Sequence, residues 1–348
     1  MARLVIAFGG NALIREDERG TWPEQTAHAL EAARAVARLA RAHQVVLTHG
    51  NGPQVGALAL QQASGEPDAP ALPFDVLDAM TQGELGYLLQ QALAAVDPSL
   101  PTATVLTRVR VDADDPALAA PPTKPIGPFY DEARARALAA ERGWHVAPDA
   151  GRGWRRMIAS PKPVEIVEEH EIRVLAGAGV LVVAGGGGGI PVVRRDGRLV
   201  GIDAVIDKDR CAAEMAIAVE ADRLVLVTGV ARAALGFGTP EQRDIVRLTV
   251  SDALRGLDDG EFAPGSMGPK VEGAARFAAT RGRAVITDAA HIGAALDGEE
   301  AGTWIVPDDE GPSVLAPAAG AARPEAVGCE QARTVGAPAG AACREAVG

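Results

Sequence analysis

Two lysines in this chain stand where glycine, proline or acid leads directly into a helical pattern. Lys208 lies in Ile206-Asp207-Lys208-Asp209, ahead of a helical run from Cys211 to Glu220. Lys270 lies in Gly265-Ser266-Met267-Gly268-Pro269-Lys270, ahead of a second run from Val271 to Ala279. A helix start presents free N–H groups and partial positive charge, so a lysine there completes a phosphate clamp that stabilises a phosphoryl group in transfer. The residue type adds weight, because only four of the 34 basic residues are lysine: Lys124, Lys162, Lys208 and Lys270. The sequence otherwise uses Arg for solvated charge, and a retained Lys suits a site that needs a compact, rotatable ammonium. Asp209, beside Lys208, has three open roles: orienting the lysines, coordinating magnesium, or capping the helix. Prolines on both sides make Lys162 a rigid connector that serves either structure or the acceptor end of the site.

Glycine-rich loops supply a second set of anion-binding groups. The apolar run Leu4 to Phe8 leads into Gly9-Gly10-Asn11-Ala12, and Val45 to Thr48 leads into His49-Gly50-Asn51-Gly52-Pro53. At the carboxyl end of a parallel strand such glycines let backbone N–H groups approach an anion closely, and Pro53 suits the first turn of a helix. One Gly-Gly turn is usually only a tight connection. Two with matching Asn at strand ends point to a shared crevice. A third loop, Gly185 to Gly189, follows Val180 to Ala184. Its cost in backbone entropy suggests a pocket that needs main chain against a ligand. Neither G-x-G-x-x-G after the first strand nor a Walker pattern is present, which removes support from dinucleotide oxidoreductases and P-loop kinases. Of six histidines only His49 falls in a candidate loop, and none forms a Ser/His/Asp or Cys/His set. An acceptor that is already anionic needs no general base, so lysines without a catalytic histidine fit phosphoryl transfer to a carboxylate-like oxygen.

The elements that must position these residues alternate from the first residue. Strand-length apolar runs are separated by helical patterns such as Pro23 to Ala42, and a second series runs through Leu224 to Thr228 and Ala284 to Thr287. This alternation predicts an α/β fold, a mostly parallel sheet sandwiched between helices and built from two halves. A Pro- and Trp-containing stretch at about 108–160, with a short helix near Asp131 to Arg142, reads as an inserted lobe or lid. The domain is expected to end near residue 307. Beyond it, 308–348 turn to Ala, Gly and Pro, a composition that cannot bury enough apolar surface to offset ordering and is expected to be disordered.

Composition narrows the function classes. A net charge of −12 argues against nucleic acid as the main partner. No apolar stretch reaches the roughly 20 residues of a membrane span, and no secretory leader opens the chain, so a soluble cytoplasmic protein is expected. Cys211, Cys329 and Cys343 lack metal-ligand spacing and read as reduced thiols without a role.

Taken together, eight spaced motifs resemble the bacterial carbamate kinases of the amino acid kinase superfamily over residues 3–307. They are Gly9 to Leu13, His49 to Gly56, Asp78 to Tyr87, Thr123 to Gly127, Pro161 to Glu165, Gly186 to Pro191, Asp203 to Asp209 and Gly265 to Glu272. The resemblance implies a three-layer αβα sandwich around an open, mainly parallel sheet with a small inserted lobe. It implies interconversion of ATP plus carbamate with ADP plus carbamoyl phosphate, usually run to make ATP during arginine breakdown, with Mg2+ accompanying the nucleotide. It places carbamate and the transferring phosphoryl group at Gly9, Gly10, Asn11, Gly50, Asn51 and Gly52. Lys208 and Lys270 would neutralise phosphates, Asp209 would organise them, and Lys124 would reach in from the lobe. Nucleotide would lie near Val227, Thr228, Phe237, Gly238, Met267 and Gly268; metal ligands are not assigned. A homodimer is also implied, with the apolar helix from Asp75 to Val96 as candidate interface or simply as core. Gly229 and Gly236 depart from the acidic or amide residues common in relatives, which touches the adenine side more than the chemistry. Two other readings stay open: the same clamp with another small acid as acceptor, and a silent sensor that binds nucleotide or carbamoyl phosphate without turnover.

Overall fold

A computed structural model describes residues 1–9, 13–15, 18–65, 68–149, 153–298 and 301–315. The amino-terminal half supplies β1 (Arg3–Phe8), α1 (Trp22–Ala40), β2 (Gln44–His49), α2 (Gly52–Gly65), α3 (Phe74–Val96), β3 (Thr102–Val105) and β4 (Arg108–Val111). A short α4 (Pro116–Ala119) leads into the lobe, β5 (Lys124–Tyr130), α5 (Glu132–Arg142), β6 (His145–Pro148) and β7 (Trp154–Ile158). The chain returns through β8 (Pro163–Ile166), α6 (Glu169–Gly177), β9 (Leu181–Ala184), β10 (Ile190–Arg195) and β11 (Arg198–Gly201). The second half adds α7 (Lys208–Ala218), β12 (Arg223–Thr228), β13 (Ala234–Leu235), β14 (Arg243–Thr249), α8 (Val250–Asp258) and α9 (Met267–Thr280). It closes with β15 (Arg283–Asp288), α10 (Ile292–Asp297), β16 (Thr303–Val306) and β17 (Val314–Leu315).

Ten strands form the main sheet in the order β13-β14-β16-β15-β12-β1-β2-β9-β3, with β17 beside β14. The central strands run parallel, with Val5 opposite Val46 on one side and Leu224 on the other. Only the β15–β16 pair and the short flanking strands run antiparallel, so the expected mainly parallel sheet is observed. Burial explains the composition of β1: all of Leu4 to Phe8 is buried because helices cover both faces, which suits a continuous Val/Ile/Leu run. One core holds Val5, Val46, Val182 and Leu224 under α7 and α9, and the other holds Leu4, Ile6, Leu47 and Val225 under α1 and α3. Two βαβ-built halves thus meet at the β1–β12 seam.

Helix limits follow local chemistry. The Thr21 N–H donates to Glu24 Oε2 at 2.7 Å and Pro23 occupies the first turn, fixing the start of α1. Asp131 accepts from the Arg134 N–H to start α5, and Gly143 ends it at φ 68°.

Two smaller sheets carry the rest: β11-β10-β4-β8, and β5-β7-β6 with α5. The lobe's own sheet therefore begins at Lys124 rather than near 108, because Val109 and Val111 are buried against the main body. The ordered chain also passes the boundary expected at 307. Ser251 Oγ donates to Asp308 Oδ2 at 2.6 Å, Ser313 Oγ donates to Asp252 Oδ2 at 2.5 Å, and β17 pairs with β14. Polar caps and strand pairing fixed this segment, and composition did not show them. Residues 316–348, the remainder of the expected tail, lie outside the described residues.

Candidate active site

Parallel strands direct their carboxyl ends one way, so the loops after β1, β2, β9 and β12 open on the same edge of the sheet. Gly9 is one of these; Gly10 and Asn11 lie outside the described residues. Gly52 opens α2, whose first-turn N–H groups have no intrahelical acceptor and are suited to an anion. The Gly50 N–H is already committed to the Phe8 carbonyl at 3.1 Å, so Gly50 ties the first two loops together rather than offering a free donor.

On the other half, α7 and α9 lie side by side. A Cβ on Gly273 would come within 2.7 Å of the Asp209 carbonyl oxygen, and this close approach brings the two helix starts together. Lys208 Nζ donates to Asp209 Oδ1 at 2.7 Å and Lys270 Nζ to Asp209 Oδ2 at 3.0 Å, one carboxylate oxygen to each ammonium. The helix cap is a different residue: Asp207 Oδ1 accepts from the N–H of Asp209 at 2.9 Å and of Arg210 at 3.4 Å. Asp207 thus caps α7, and both oxygens of Asp209 are engaged by the two lysines. Lys124, at the start of the lobe's β5, donates to Asp207 Oδ2, so three of the four lysines converge on one short acidic segment. Lys162 lies apart: its ammonium is largely exposed and faces Glu272 at 3.6 Å, and its N–H donates to Asp115.

The electrostatics follow from crowding. Burial works against charge on Lys208, but Asp209 and Asp207 outweigh it and its pKa is raised. Lys270 is shifted down by burial and by the neighbouring Lys208, with Asp209 offsetting only part. An arriving phosphate would relieve that repulsion. Burial opposes ionisation of Asp207, yet Lys124 and Lys208 overcome it and hold its carboxyl well below the usual range. His49 is fully enclosed and burial lowers its pKa to about 4, so it is neutral near pH 7 and is no proton acceptor of note.

The third glycine loop has a packing explanation. Its missing Cβ atoms would strike the His49 ring at Gly186, the Asn51 amide at Gly187, the Ile206 carbonyl at Gly188 and Val109 at Gly189. The run is thus a thin layer between the His49–Gly52 loop and the lysine segment. Close protein packing accounts for glycine at these four positions. Residues that sequence reasoning left without a role complete the layer: Asp78, Thr81 and Gln82 face inward from α3, all buried. A signal was present, since three polar residues at i, i+3 and i+4 occupy one face of an otherwise apolar helix.

On the β12 side, Val227 and Thr228 end the strand next to Gly9, whose Cβ position is 3.4 Å from the Val227 oxygen. Gly236 and Gly238 both have positive φ in the turn that carries Phe237, which is 70% exposed. Met267 and Gly268 form the first turn of α9, beside Lys270. Among the described residues no three His, Cys, Asp or Glu side chains form a metal cluster. A cleft of about 430 Å³ lies elsewhere, between the lobe and the α2–α3 connection, lined by Phe74, Trp144, Arg156 and Asp203.

A sheet edge with glycine loops on one half and two lysine-bearing helix starts on the other defines a small-molecule phosphotransferase architecture. Residues 2–288 match the model of the amino acid kinase family. The chain is 44% identical over 315 residues to carbamate kinase from Thermococcus kodakarensis, covering 88% of this chain and 99% of that one. It is 45% identical over 299 residues to carbamate kinase from Rhizobium meliloti, covering 85% and 89%. A solved structure, carbamate kinase from Giardia lamblia bound to AMP-PNP, superposes with a TM-score of 0.81 at 39% identity, covering 88% of this chain and 99% of that one. The chain belongs to the amino acid kinase family, within its carbamate kinase branch.

Proposed function

We propose that this chain is an ATP:carbamate phosphotransferase, interconverting ATP plus carbamate with ADP plus carbamoyl phosphate. The observation that carries the reading is the pair of ammoniums of Lys208 and Lys270 held on opposite oxygens of Asp209 at two adjacent helix starts. In this arrangement nucleotide lies over the β12 side, near Val227, Thr228, Phe237, Gly238, Met267 and Gly268. Carbamate lies at Gly9, Gly10, Asn11, Asn51 and Gly52. The transferring phosphoryl group passes between them, its equatorial charge met by Lys208 and Lys270, whose positions Asp209 has already fixed. Lys124 adds a third cation when the lobe is seated. The carbamate oxygen is anionic and attacks without a base, which agrees with the neutral, enclosed His49.

Magnesium would accompany the nucleotide and supply further positive charge to its phosphates, alongside the ammoniums of Lys208 and Lys270. The physiological direction toward ATP in arginine breakdown is supported by the resemblance to carbamate kinases, and so is a cytoplasmic setting. No helix among the described residues is long and apolar enough to cross a membrane. The lobe acts as a lid that delivers Lys124. A homodimer forms through the outer face of α3, where Met80 and Tyr87 are exposed and Tyr87 stacks on the exposed Trp22 with centroids 6.3 Å apart.

The acceptor is tested by supplying ATP with carbamate, acetylglutamate, glutamate, aspartate or a small phosphonate and measuring ADP release. Turnover is expected with carbamate alone. Preference for another acid would replace the acceptor while leaving the clamp in place.

A further inference from the structure

Within the Asp78 to Tyr87 stretch, α3 turns polar side chains into the core. Asp78 is 2% exposed, and its Oδ2 has no hydrogen-bond partner among the described residues. A buried carboxyl atom left in that state is costly unless the group has a reason to be there. Its other oxygen takes part in an ordered chain of bonds. Thr81 donates its hydroxyl proton to the Asp78 carbonyl at 2.8 Å, so the Thr81 oxygen is left to accept. It accepts from Asn51 Nδ2 at 2.8 Å, and the second hydrogen of the same amide goes to Asp78 Oδ1 at 3.1 Å. Both amide hydrogens are committed, so the Asn51 side chain cannot flip. Its oxygen must face away from α3.

The fixed amide also holds the next layer. It occupies the space where a Cβ on Gly187 would lie, 2.3 Å from Nδ2. Four residues after Asp78, Gln82 Oε1 accepts from the Thr107 N–H at 2.7 Å while its Nε2 donates to the Gly186 carbonyl at 3.0 Å. One face of α3 thereby fixes the His49–Gly52 loop and the Gly185–Gly189 loop relative to each other. Burial, reinforced by Asp75, pushes the Asp78 carboxyl well above the usual range and favours a neutral acid, whose carbonyl oxygen still accepts from Asn51. A neutral group suits a wall behind an anion site, where a carboxylate would repel the substrate.

We propose that Asp78, with Thr81, is a positioning residue for the acceptor end of the site: it locks the Asn51 amide and so preassembles the loop that receives carbamate or carbamoyl phosphate. This inference rests on the assignment of Asn51 to the acceptor site made above. The substrate is not needed to see the lock itself.

Asp78→Ala, Thr81→Val and Asp78→Asn separate the possibilities. Asp78→Ala and Thr81→Val are expected to raise the KM for carbamoyl phosphate at least ~10-fold and leave the KM for ADP within ~2-fold, because only the acceptor loop loosens. Asp78→Asn preserves a carbonyl acceptor of the same shape and should restore wild-type behaviour. An independent readout follows the Asn51 side-chain amide by NMR with 15N-asparagine labelling. Its hydrogens should exchange slowly with solvent in wild type and Asp78→Asn, and rapidly in the other two variants. Equal increases in both KM values, unchanged kinetics in Asp78→Ala, or a folded but inactive Asp78→Asn would each overturn the proposal. If wild type fails to turn over carbamoyl phosphate, the functional assignment falls. Amide exchange then still decides the lock: slow exchange that survives Asp78→Ala would refute it.

Discussion

At the residue scale the proposed chemistry rests on ammonium groups that are placed rather than merely present. Lys208 and Lys270 were legible because glycine, proline and acid preceded a helical pattern at each, and the structure brings both to Asp209. Which carboxylate caps α7 depends on which oxygen faces a helix N–H, and spacing alone does not encode it. Lys208→Arg and Lys270→Arg should each lower kcat by at least ~10-fold with the fold intact, since a planar fork cannot share one carboxylate oxygen and a phosphate in the space of an ammonium. Steady-state kinetics alongside circular dichroism checks this. A second expectation concerns pH. His49 takes a proton below about 4 when folded, whereas an unfolded histidine does so below about 6.5. The unfolded state therefore binds more protons between these values, and stability falls as pH drops from about 6.5 to about 4, by up to about 3 kcal/mol. Asp78, whose folded pKa is raised, works in the opposite sense, gaining stability as pH falls toward the ordinary carboxyl value. Denaturant titrations should thus show a steeper acid loss in Asp78→Asn than in wild type, and the loss should shrink in His49→Gln.

At the scale of elements, the strands and helices of the main body were readable from the alternation of apolar runs. Helices cover both faces of β1, β2 and β12, so these strands carry the unbroken Val/Ile/Leu character of doubly buried strands. Boundaries of the lobe and of the carboxyl-terminal segment were less legible, because they depend on β4 joining a side sheet and on β17 finding β14 across more than sixty residues. The five-glycine run was visible but its cause was not, since Asn51, His49 and Ile206 meet it only in three dimensions. The lobe's seat is equally non-local. A Cβ on Gly56 of α2 would lie 1.9 Å from the Gly127 Cα of β5, so the two backbones touch three residues along the strand from Lys124. Gly56→Ala should lift β5 and withdraw Lys124, lowering kcat roughly 10-fold or more. Because both changes remove the same ammonium, Gly56→Ala combined with Lys124→Ala should be no slower than Lys124→Ala alone. Additive losses would place the function of Gly56 elsewhere.

At the scale of the whole molecule, the proposed function divides the work between the two halves of the sheet: glycine loops for the acceptor on one side, lysine-bearing helix starts for the phosphates on the other. This division was implied by the ordered motifs, and the parallel register of β1 between β2 and β12 places the loops on one edge. From sequence, the apolar helix from Asp75 to Val96 admits either role, interface or core. Its inner face is core, with Leu85, Leu89 and Leu93 buried, while Met80 and Tyr87 remain exposed. Sedimentation should find a dimer at micromolar concentration, and Met80→Glu with Tyr87→Glu should shift it to monomer. The most direct measurement of the central claim is the rate of ATP formation from ADP and carbamoyl phosphate by the wild-type protein with Mg2+. Rapid ATP formation that falls at least ~10-fold in Lys208→Arg is expected. Absence of ATP formation by folded protein that still binds ADP would contradict it.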